Sequence, residues 1–358
     1  MGNCKHNTRY SIVVGDIMRY IGGKSLLLEN INSVIETYIP DVTSVIDLFS
    51  GSGAVSGNFK SKGYTTVSND YLYFSYVLTR AAIALNRKPS FRNLGVGSPI
   101  DYLNNLTLDD TDIDINTCFI YNNYSPVGDC SRMYFQPENA LKIDIIRQTI
   151  EKWHKDRLIS ENEYYYLLAA LINAVPFVSN ITGVYAAYLK YWDIRTYKTL
   201  TLTEPEIISN GKKNKCFNKD YTTLLSKECD LLYADPPYNS REYLPNYHIL
   251  ETIARYDYPV IYGVTGMRDY EKQKSVFCKK STVAAAFETM IRDCKSRYIL
   301  ISYNNEALLS TEKLSEICRS YAVGDSFKLF EYDYRRYKNK IPNNESGLKE
   351  QLYLLRRN

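Results

Sequence analysis

The sequence predicts an α/β fold, an open and mostly parallel sheet with helices on its faces, interrupted by a mainly helical insert. Three observations carry this expectation. Short apolar, β-branched runs such as residues 42–49 (VTSVIDLF) and 298–303 (YILISY) alternate with helical apolar spacing in both end portions of the chain. Two such runs stop abruptly at acid-bearing turns, Asp47-Leu48-Phe49-Ser50-Gly51-Ser52-Gly53 and Asp235-Pro236-Pro237-Tyr238. Between them the alternation gives way to polar-aromatic loops and longer helical patterns. The expected division is a sheet-bearing domain over residues 1–90 and 215–358 with an inserted domain over residues 91–214.

A chain of 358 residues holds one large domain or two of ordinary size. Its 45% hydrophobic and 23% charged content is that of a soluble globular protein, and a net charge of +4 is compatible with a nucleic-acid partner without requiring one. Tyrosine is the outlier, 34 residues against 12 Phe and 2 Trp. That excess offers stacking surfaces for bases, although an AT-rich coding sequence yields the same bias. Eight cysteines, at positions 4, 118, 130, 216, 229, 278, 294 and 318, show no CxxC, and only 3 His accompany them. Reduced thiols and no metal site are expected. The opening MGNCKHNTRY has no apolar h-region, so no signal peptide is expected. His6 stands where a myristoylation motif wants Ser or Thr, and no run reaches the length of a membrane span. These features predict a soluble, cytoplasmic protein.

Taken in order, Gly22-Gly23-Lys24 opens the helical stretch LLLENINSVIETYI and makes an anion seat, with backbone amides, helix dipole and Lys24 all favouring negative charge. Residues 42–49 form a central strand, and a helix over about 54–62 is closed by Gly63. Residues 64–68 form a second strand, ending at Asn69-Asp70. A β-α-β unit with a glycine-rich turn and an acid after its second strand binds a nucleoside cofactor, the acid taking the ribose hydroxyls. A dinucleotide fingerprint would read GxGxxG, whereas Gly51, Gly53 and Ser56 give GxGxxS. Asp47 adds a carboxylate that repels a pyrophosphate and suits an α-ammonium group. The charge argument favours S-adenosylmethionine (AdoMet) over NAD.

The insert begins with an acidic loop over 101–114 and the polar-aromatic Tyr121-Asn122-Asn123-Tyr124-Ser125-Pro126. Helices are expected over 137–155 and 164–175, then a second polar-aromatic loop over 179–185. Basic residues (Lys152, Lys155, Arg157, Lys190, Arg195, Lys198, then Lys212, Lys213 and Lys215) interleave with Tyr185, Tyr188, Tyr191 and Tyr197. They form either a DNA-backbone surface or an ordinary solvated face.

Strand and helix alternate again after residue 215. Residues 217–221 carry Asp220, and the buried-looking run 231–234 (LLYA) is ended by two prolines that cannot donate ladder hydrogen bonds. Asp235 is thus delivered to the carboxyl end of a strand, where open α/β sheets hold their ligands. Its carboxylate and the Pro236 carbonyl form a rigid acceptor pair beside the Tyr238 ring, a site suited to a planar base with an exocyclic amino group. There follow a helix through 247–252, a Gly-, Lys- and Arg-rich loop over 259–282, a helix over 283–294, the strand 298–303 and another helix. Two last strands are expected at about 326–337 and 350–355, with the basic run 335–340 (RRYKNK) as a solvated hairpin between them.

YIGGK at 20–24, DLFSGSG at 47–53 and DPPY at 235–238 fall in an order that resembles the alpha class of DNA adenine-N6 methyltransferases, the D12 family. The longer DPPYNSREY looks like the branch of modification enzymes of restriction systems. The resemblance implies a Rossmann-like class I AdoMet-dependent methyltransferase sheet, with residues 91–214 as an inserted target-recognition domain that binds DNA. It implies AdoMet as cofactor, no metal, double-stranded DNA as partner, a cognate restriction endonuclease and a monomer. By the same resemblance Tyr20, Gly22, Gly23 and Lys24 pack against the methionine end of AdoMet, and Asp47, Ser50, Gly51 and Gly53 form the cofactor loop. Asp70 would hold the ribose hydroxyls and Asp220 the adenine amino group, while Asp235, Pro236, Pro237 and Tyr238 are catalytic, acting on an adenine flipped out of the duplex. A cytosine-N4 enzyme would usually carry Ser in place of Asp235. An RNA base methyltransferase would not ordinarily need so long an insert. A nucleotide-dependent oxidoreductase is opposed by GxGxxS and Asp47, and a non-enzymatic DNA-binding protein by the presence of every motif residue.

Overall fold

The computed structural model describes residues 21–333 and 347–357. Tyr20, Cys4 and the basic run 335–340 lie outside the described residues. In the first portion come α1 (Leu28–Tyr38), β1 (Ser44–Asp47), α2 (Ala54–Ser61), β2 (Thr65–Asn69) and α3 (Tyr73–Ala82). Four helices follow: α4 (Pro99–Asn105), α5 (Phe119–Tyr124), α6 (Pro137–Lys155) and α7 (Glu161–Ala174). Next are β3 (Lys215–Phe217), α8 (Thr222–Leu225), β4 (Leu231–Ala234), α9 (Leu244–Arg255) and a small hairpin of β5 (Ile261–Tyr262) and β6 (Met267–Arg268). The chain continues through α10 (Val283–Asp293), β7 (Tyr298–Asn304), α11 (Thr311–Tyr321), β8 (Lys328–Asp333) and β9 (Lys349–Arg356).

Among the described residues seven strands form one sheet in the order β3-β2-β1-β4-β7-β9-β8. The five from β3 to β7 run parallel, and β9 pairs antiparallel with both β7 and β8. The fold is therefore mixed α/β with a mostly parallel central sheet. From β1 the chain winds outward through β2 and β3, then returns to β4 on the other side of β1. The strand order reverses between β1 and β4, which opens a crevice at their carboxyl ends. The period of two along each strand divides the core. Val45, Leu231, Tyr233 and Leu300 pack with α1 and α2 on one face, whereas Ile46, Leu232, Ile299 and Ile301 pack with α10 and α11 on the other. Both faces are covered, which is why these strands read as continuous apolar runs.

Among the described residues no strand occurs between β2 and β3. Pro137 at the first turn starts α6, and a capping box between Ser160 and Glu163 starts α7 one turn earlier than apolar spacing alone predicts. These helices have no core of their own. Ile143, Ile146, Leu167 and Leu171 share one buried cluster with Phe74 and Leu78 of α3 and with Ile249 and Ile253 of α9. Buried Arg147 donates to the carbonyls of Ile253 and Ala254 at the end of α9, and buried Asp144 accepts the backbone N–H groups of Ile120 and Tyr121 at the start of α5. The helical segment is welded to the sheet-bearing part through α3 and α9. No helix among the described residues is long and apolar enough to cross a membrane.

Candidate active site

The loops that follow β1, β2, β3 and β4 surround a cavity of about 300 Å³. Its floor is the glycine-rich turn after β1. Ser50 N–H donates to the Asn69 carbonyl (2.9 Å), and Asn69 N–H donates to Ser50 Oγ (3.0 Å), so the first two loops are laced together. Asn69 Nδ2 also donates to the carbonyls of Leu48 and Lys219, tying in the loop after β3. Asp70 completes the lacing, its two carboxylate oxygens accepting Gly51 N–H at 2.7 Å and Leu72 N–H at 2.8 Å. Burial pushes its carboxyl up to about 7, against the pull of those backbone donors.

Asp47 does not line the cavity. It is fully buried beneath the turn, with Oδ2 accepting from Ser56 Oγ at 2.6 Å and Oδ1 lacking a hydrogen-bond partner. Burial drives its carboxyl to about 7, only partly opposed by Ser56. Asp47 therefore shapes the turn from below, and the charge argument that gave it an ammonium partner lacks its group. Gly53 is also withdrawn from the lining and acts as the left-handed N-cap of α2 (φ 84°).

At the end of β4 the catalytic-looking motif meets the N-terminal one. The Lys24 ammonium lies 3.3 Å from Asp235 Oδ1 and 3.0 Å from Glu350 Oε2 on β9, and 5.8 Å from the centre of the Tyr238 ring. Burial alone would lower the lysine pKa, but the two carboxylates hold it above its ordinary value. Asp235 is pushed up to about 7 by burial and by Glu350, against the pull of Lys24. The Gly22 turn is held close to this cluster by a hydrogen bond from Ile21 N–H to Tyr247 Oη (2.6 Å), where a single non-helical residue kinks α9. A Cβ on Gly22 would lie 2.8 Å from Tyr243 Oη and 3.5 Å from Tyr238 Cε1.

Asp220 stands at the outer wall, one carboxylate oxygen engaged by the backbone and hydroxyl of Thr222. Phe49 closes the same wall from within an aromatic trio with Tyr221 and Phe277 (centroids 5.2–5.6 Å apart). The roof is the segment 272–276, tethered by Gln273 Nε2 to Glu251 Oε1 (3.1 Å), by Ser275 N–H to the Glu242 carboxylate, and by Tyr71 Oη to the Lys272 carbonyl (2.9 Å).

The cavity thus gathers Gly22, Gly23, Lys24, Ser50, Gly51, Asp70, Asp220, Asp235 and Pro237, all singled out by sequence. Pro236 is buried behind them, and the Tyr238 ring sits by Lys24 and Gly22. Sequence reasoning missed Glu350, Asn69, Phe49 and the roof. Glu350 carried a signal, since it shares its phase along β9 with the buried Leu352 and Leu354. A partly open cavity with carboxylates at both ends, an aromatic wall and a helix N-terminus suits a zwitterionic nucleoside of net positive charge. No group of His, Cys, Asp and Glu among the described residues is arranged to hold a metal.

The model of the D12 class N6 adenine-specific DNA methyltransferases matches residues 20–317 of this chain. Type II methyltransferase M.FokI of Planomicrobium okeanokoites is 46% identical over 345 residues, covering 95% of this chain and 53% of the relative. Modification methylase StsI of Streptococcus sanguinis is 41% identical, covering 95% and 52%. This chain spans about half the length of these two relatives. Type II methyltransferase M.NlaIII of Neisseria lactamica is matched nearly end to end, 36% identical over 90% of this chain and 92% of its own.

Proposed function

We propose, from the premise that the chain belongs to the D12 class of N6 adenine-specific DNA methyltransferases, that it methylates N6 of an adenine within a short double-stranded DNA sequence, as the modification enzyme of a restriction system. The observation that carries this reading is Asp235 at the end of β4, held by Lys24 beside a cavity at the reversal of strand order. A reactive acceptor group is thereby fixed next to room for a nucleoside cofactor.

AdoMet fits that room. Asp70 keeps lone pairs for ribose hydroxyls, the second oxygen of Asp220 can accept an adenine amino group, and Phe49 offers an apolar wall. Gly22, Gly23 and Lys24 would face its methionine end, with Ser50 and Gly51 beneath and Asp47 and Gly53 setting the turn. Tyr20 is assigned to the same end by resemblance alone. When bound, AdoMet supplies an electrophilic methyl group on a sulfonium.

The chain's own residues do the rest by position and charge. The target adenine, flipped from the duplex, would lie on the Tyr238 ring. The Asp235 carboxylate and the Pro236 carbonyl would accept its two N6 hydrogens, turning the nitrogen lone pair out of ring conjugation. Pro236 and Pro237 keep those acceptors from relaxing, and the roof at 272–276 excludes water.

Residues 91–214 are proposed to read the DNA. The loop 179–198 supports this, with Tyr191, Ile194 and Tyr197 strongly exposed among Lys190, Arg195 and Lys198. Fully buried Asn180 pins it to Met133, Leu189 and Asp193, and Tyr185 N–H donates to the Asn246 carbonyl at the start of α9 beside the cavity. Incubation with AdoMet and unmethylated duplex DNA, followed by nucleoside mass spectrometry, tests the reading. N6-methyladenine is expected, and its absence from DNA alongside transfer to RNA would overturn the substrate assignment. Asp235→Ala should abolish transfer while the AdoMet Kd stays within about threefold, since its loss removes an acceptor made for the target base.

A further inference from the structure

The Lys24 ammonium is shared between two carboxylates, and only one of them is explained by the reading above. Glu350 lies on β9, on the face that also carries Leu352 and Leu354 and is covered by α1. Lys24 stands at the turn that leads into α1, so the fold brings together groups 326 residues apart in sequence. The side chains of Lys24 and Glu350 are 3% and 6% exposed, and that of Asp235 is 17% exposed. A carboxylate on the apolar phase of a buried strand costs stability unless it serves a partner. Neutralising Lys24 is not a sufficient reason, because Asp235 alone would do so.

Methyl transfer supplies the reason. As N6 forms its bond to the methyl carbon, the carbon–sulfur bond breaks and its electron pair leaves with sulfur. N6 then carries a positive charge, which is discharged when one N–H bond returns its electrons to nitrogen and the proton passes to a neighbouring base. Asp235 is placed to be that base. An Asp235 locked in a one-to-one ion pair with Lys24 would be a poor one. We infer that Glu350 is a positioning residue for this step: it holds the Lys24 ammonium from the far side and so keeps the Asp235 carboxylate basic enough to take the N6 proton.

This inference rests on the methyltransferase reading of the site. The groups coupled electrostatically to Asp235 are Lys24 at the N-terminal turn, Tyr233 on β4, Asp47 at the end of β1, Tyr243 before α9 and Glu350 on β9, with Tyr238 beside Lys24. Lys24 is the cation among them, and Glu350 is the acid in direct contact with it. Of the groups acting on Asp235, burial raises its pKa most, Lys24 lowers it and Glu350 raises it.

Glu350→Gln keeps the shape and removes the charge. In the cofactor-free protein, the Asp235 carboxyl is followed by carbon-13 NMR titration with labelled aspartate, its resonance identified by loss in Asp235→Asn. The expected result is a titration midpoint lowered by about one pH unit in Glu350→Gln and raised in Lys24→Met. In the active enzyme, the acidic limb of kcat should move down by the same amount and plateau kcat should fall about tenfold, with AdoMet Kd unchanged. Glu350→Asp should recover part of the wild-type profile. A folded Glu350→Gln with an unmoved midpoint overturns the inference, as does a loss of AdoMet affinity equal to the loss of kcat. Absence of N6-methyladenine from the wild type overturns the reading of the site instead, while the titration still decides the coupling.

Discussion

At Gly22 a single missing side chain lets the two ends of the site meet. The residue holds φ at +74°, and a Cβ there would come within 2.8 Å of Tyr243 Oη. Gly22→Ala combines backbone strain at a positive φ with a close approach to the Tyr243 hydroxyl, together about 1–3 kcal/mol. AdoMet affinity should fall about tenfold or more by calorimetric titration while the secondary structure stays unchanged; undiminished affinity would show that the turn lies outside the cofactor site. The Asp235 carboxyl sets the second expectation at this scale. With its pKa raised to about 7 by burial, the ionised form that accepts N6 hydrogens accumulates only as pH rises through neutrality. The single-turnover rate should therefore climb from pH 6 to pH 8 and level off, and a rate that is flat over that range would remove Asp235 from the step. Asp47 shows where residue-level reading fails. Its position after the first strand was legible, but its burial under Ser56 was not, because whether a side chain faces the crevice or the core depends on packing across the sheet.

Among the elements, α9 does the most positioning with the least visible signal. Its kink at Tyr247 (φ −132°) aims the phenol at Ile21 N–H, 2.6 Å away, and so anchors the Gly22–Lys24 turn. Tyr247→Phe leaves that N–H without its partner, a loss of about 1–2 kcal/mol, and should weaken AdoMet binding roughly tenfold with little change in overall melting. Equal losses of melting temperature and affinity would mean that the phenol only supports the core. The run HILET at 248–252 reads as unbroken helix, and the kink falls just before it at Tyr247, two residues after Pro245. The parallel strands were far easier to read. β1, β4 and β7 are apolar runs buried on both faces, and the residues that end β1, β2 and β4 announce the crevice through Gly, Asp and Pro. In the helical segment α6 and α7 were legible, whereas α4 and α5 fall on stretches that read as loops, and the fusion to α3 and α9 was not legible at all. Its anchors, Arg147 and Asp144, are polar residues within α6, and only the fold shows them capping other elements.

At the scale of the whole molecule, buried acids outnumber buried bases that titrate near neutrality among the described residues, and this gives stability a definite pH slope. Burial raises Asp47, Asp70, Asp144 and Asp235 from their ordinary 3.8 to about 7, while it lowers His248 from 6.5 to about 4. For the four carboxyls, the native state keeps protons between pH 4 and pH 7 that the unfolded chain has released, so their contribution favours folding at low pH and is lost as pH rises through 7. His248 acts in the opposite sense, since between pH 4 and pH 6.5 the unfolded chain binds the proton that the native state refuses, and its contribution grows with pH there. The two trends oppose one another below pH 6.5. Between pH 6.5 and pH 8 the unfolded imidazole gives up its remaining protons and Lys60, lowered by burial to about 8, begins to lose its own, but the four carboxyls outweigh these two groups. The cofactor-free protein should therefore melt at a lower temperature at pH 8 than at pH 6.5 in differential scanning calorimetry, and Asp47→Asn, which removes a fully buried carboxyl outside the cavity, should flatten that slope. A melting temperature that is constant or rising over this interval would mean that these carboxyls ionise without cost in the folded state. Asp235 would then have no raised basicity for Glu350 to maintain, so the calorimetric slope tests the electrostatic premise of the site independently of any methyl transfer.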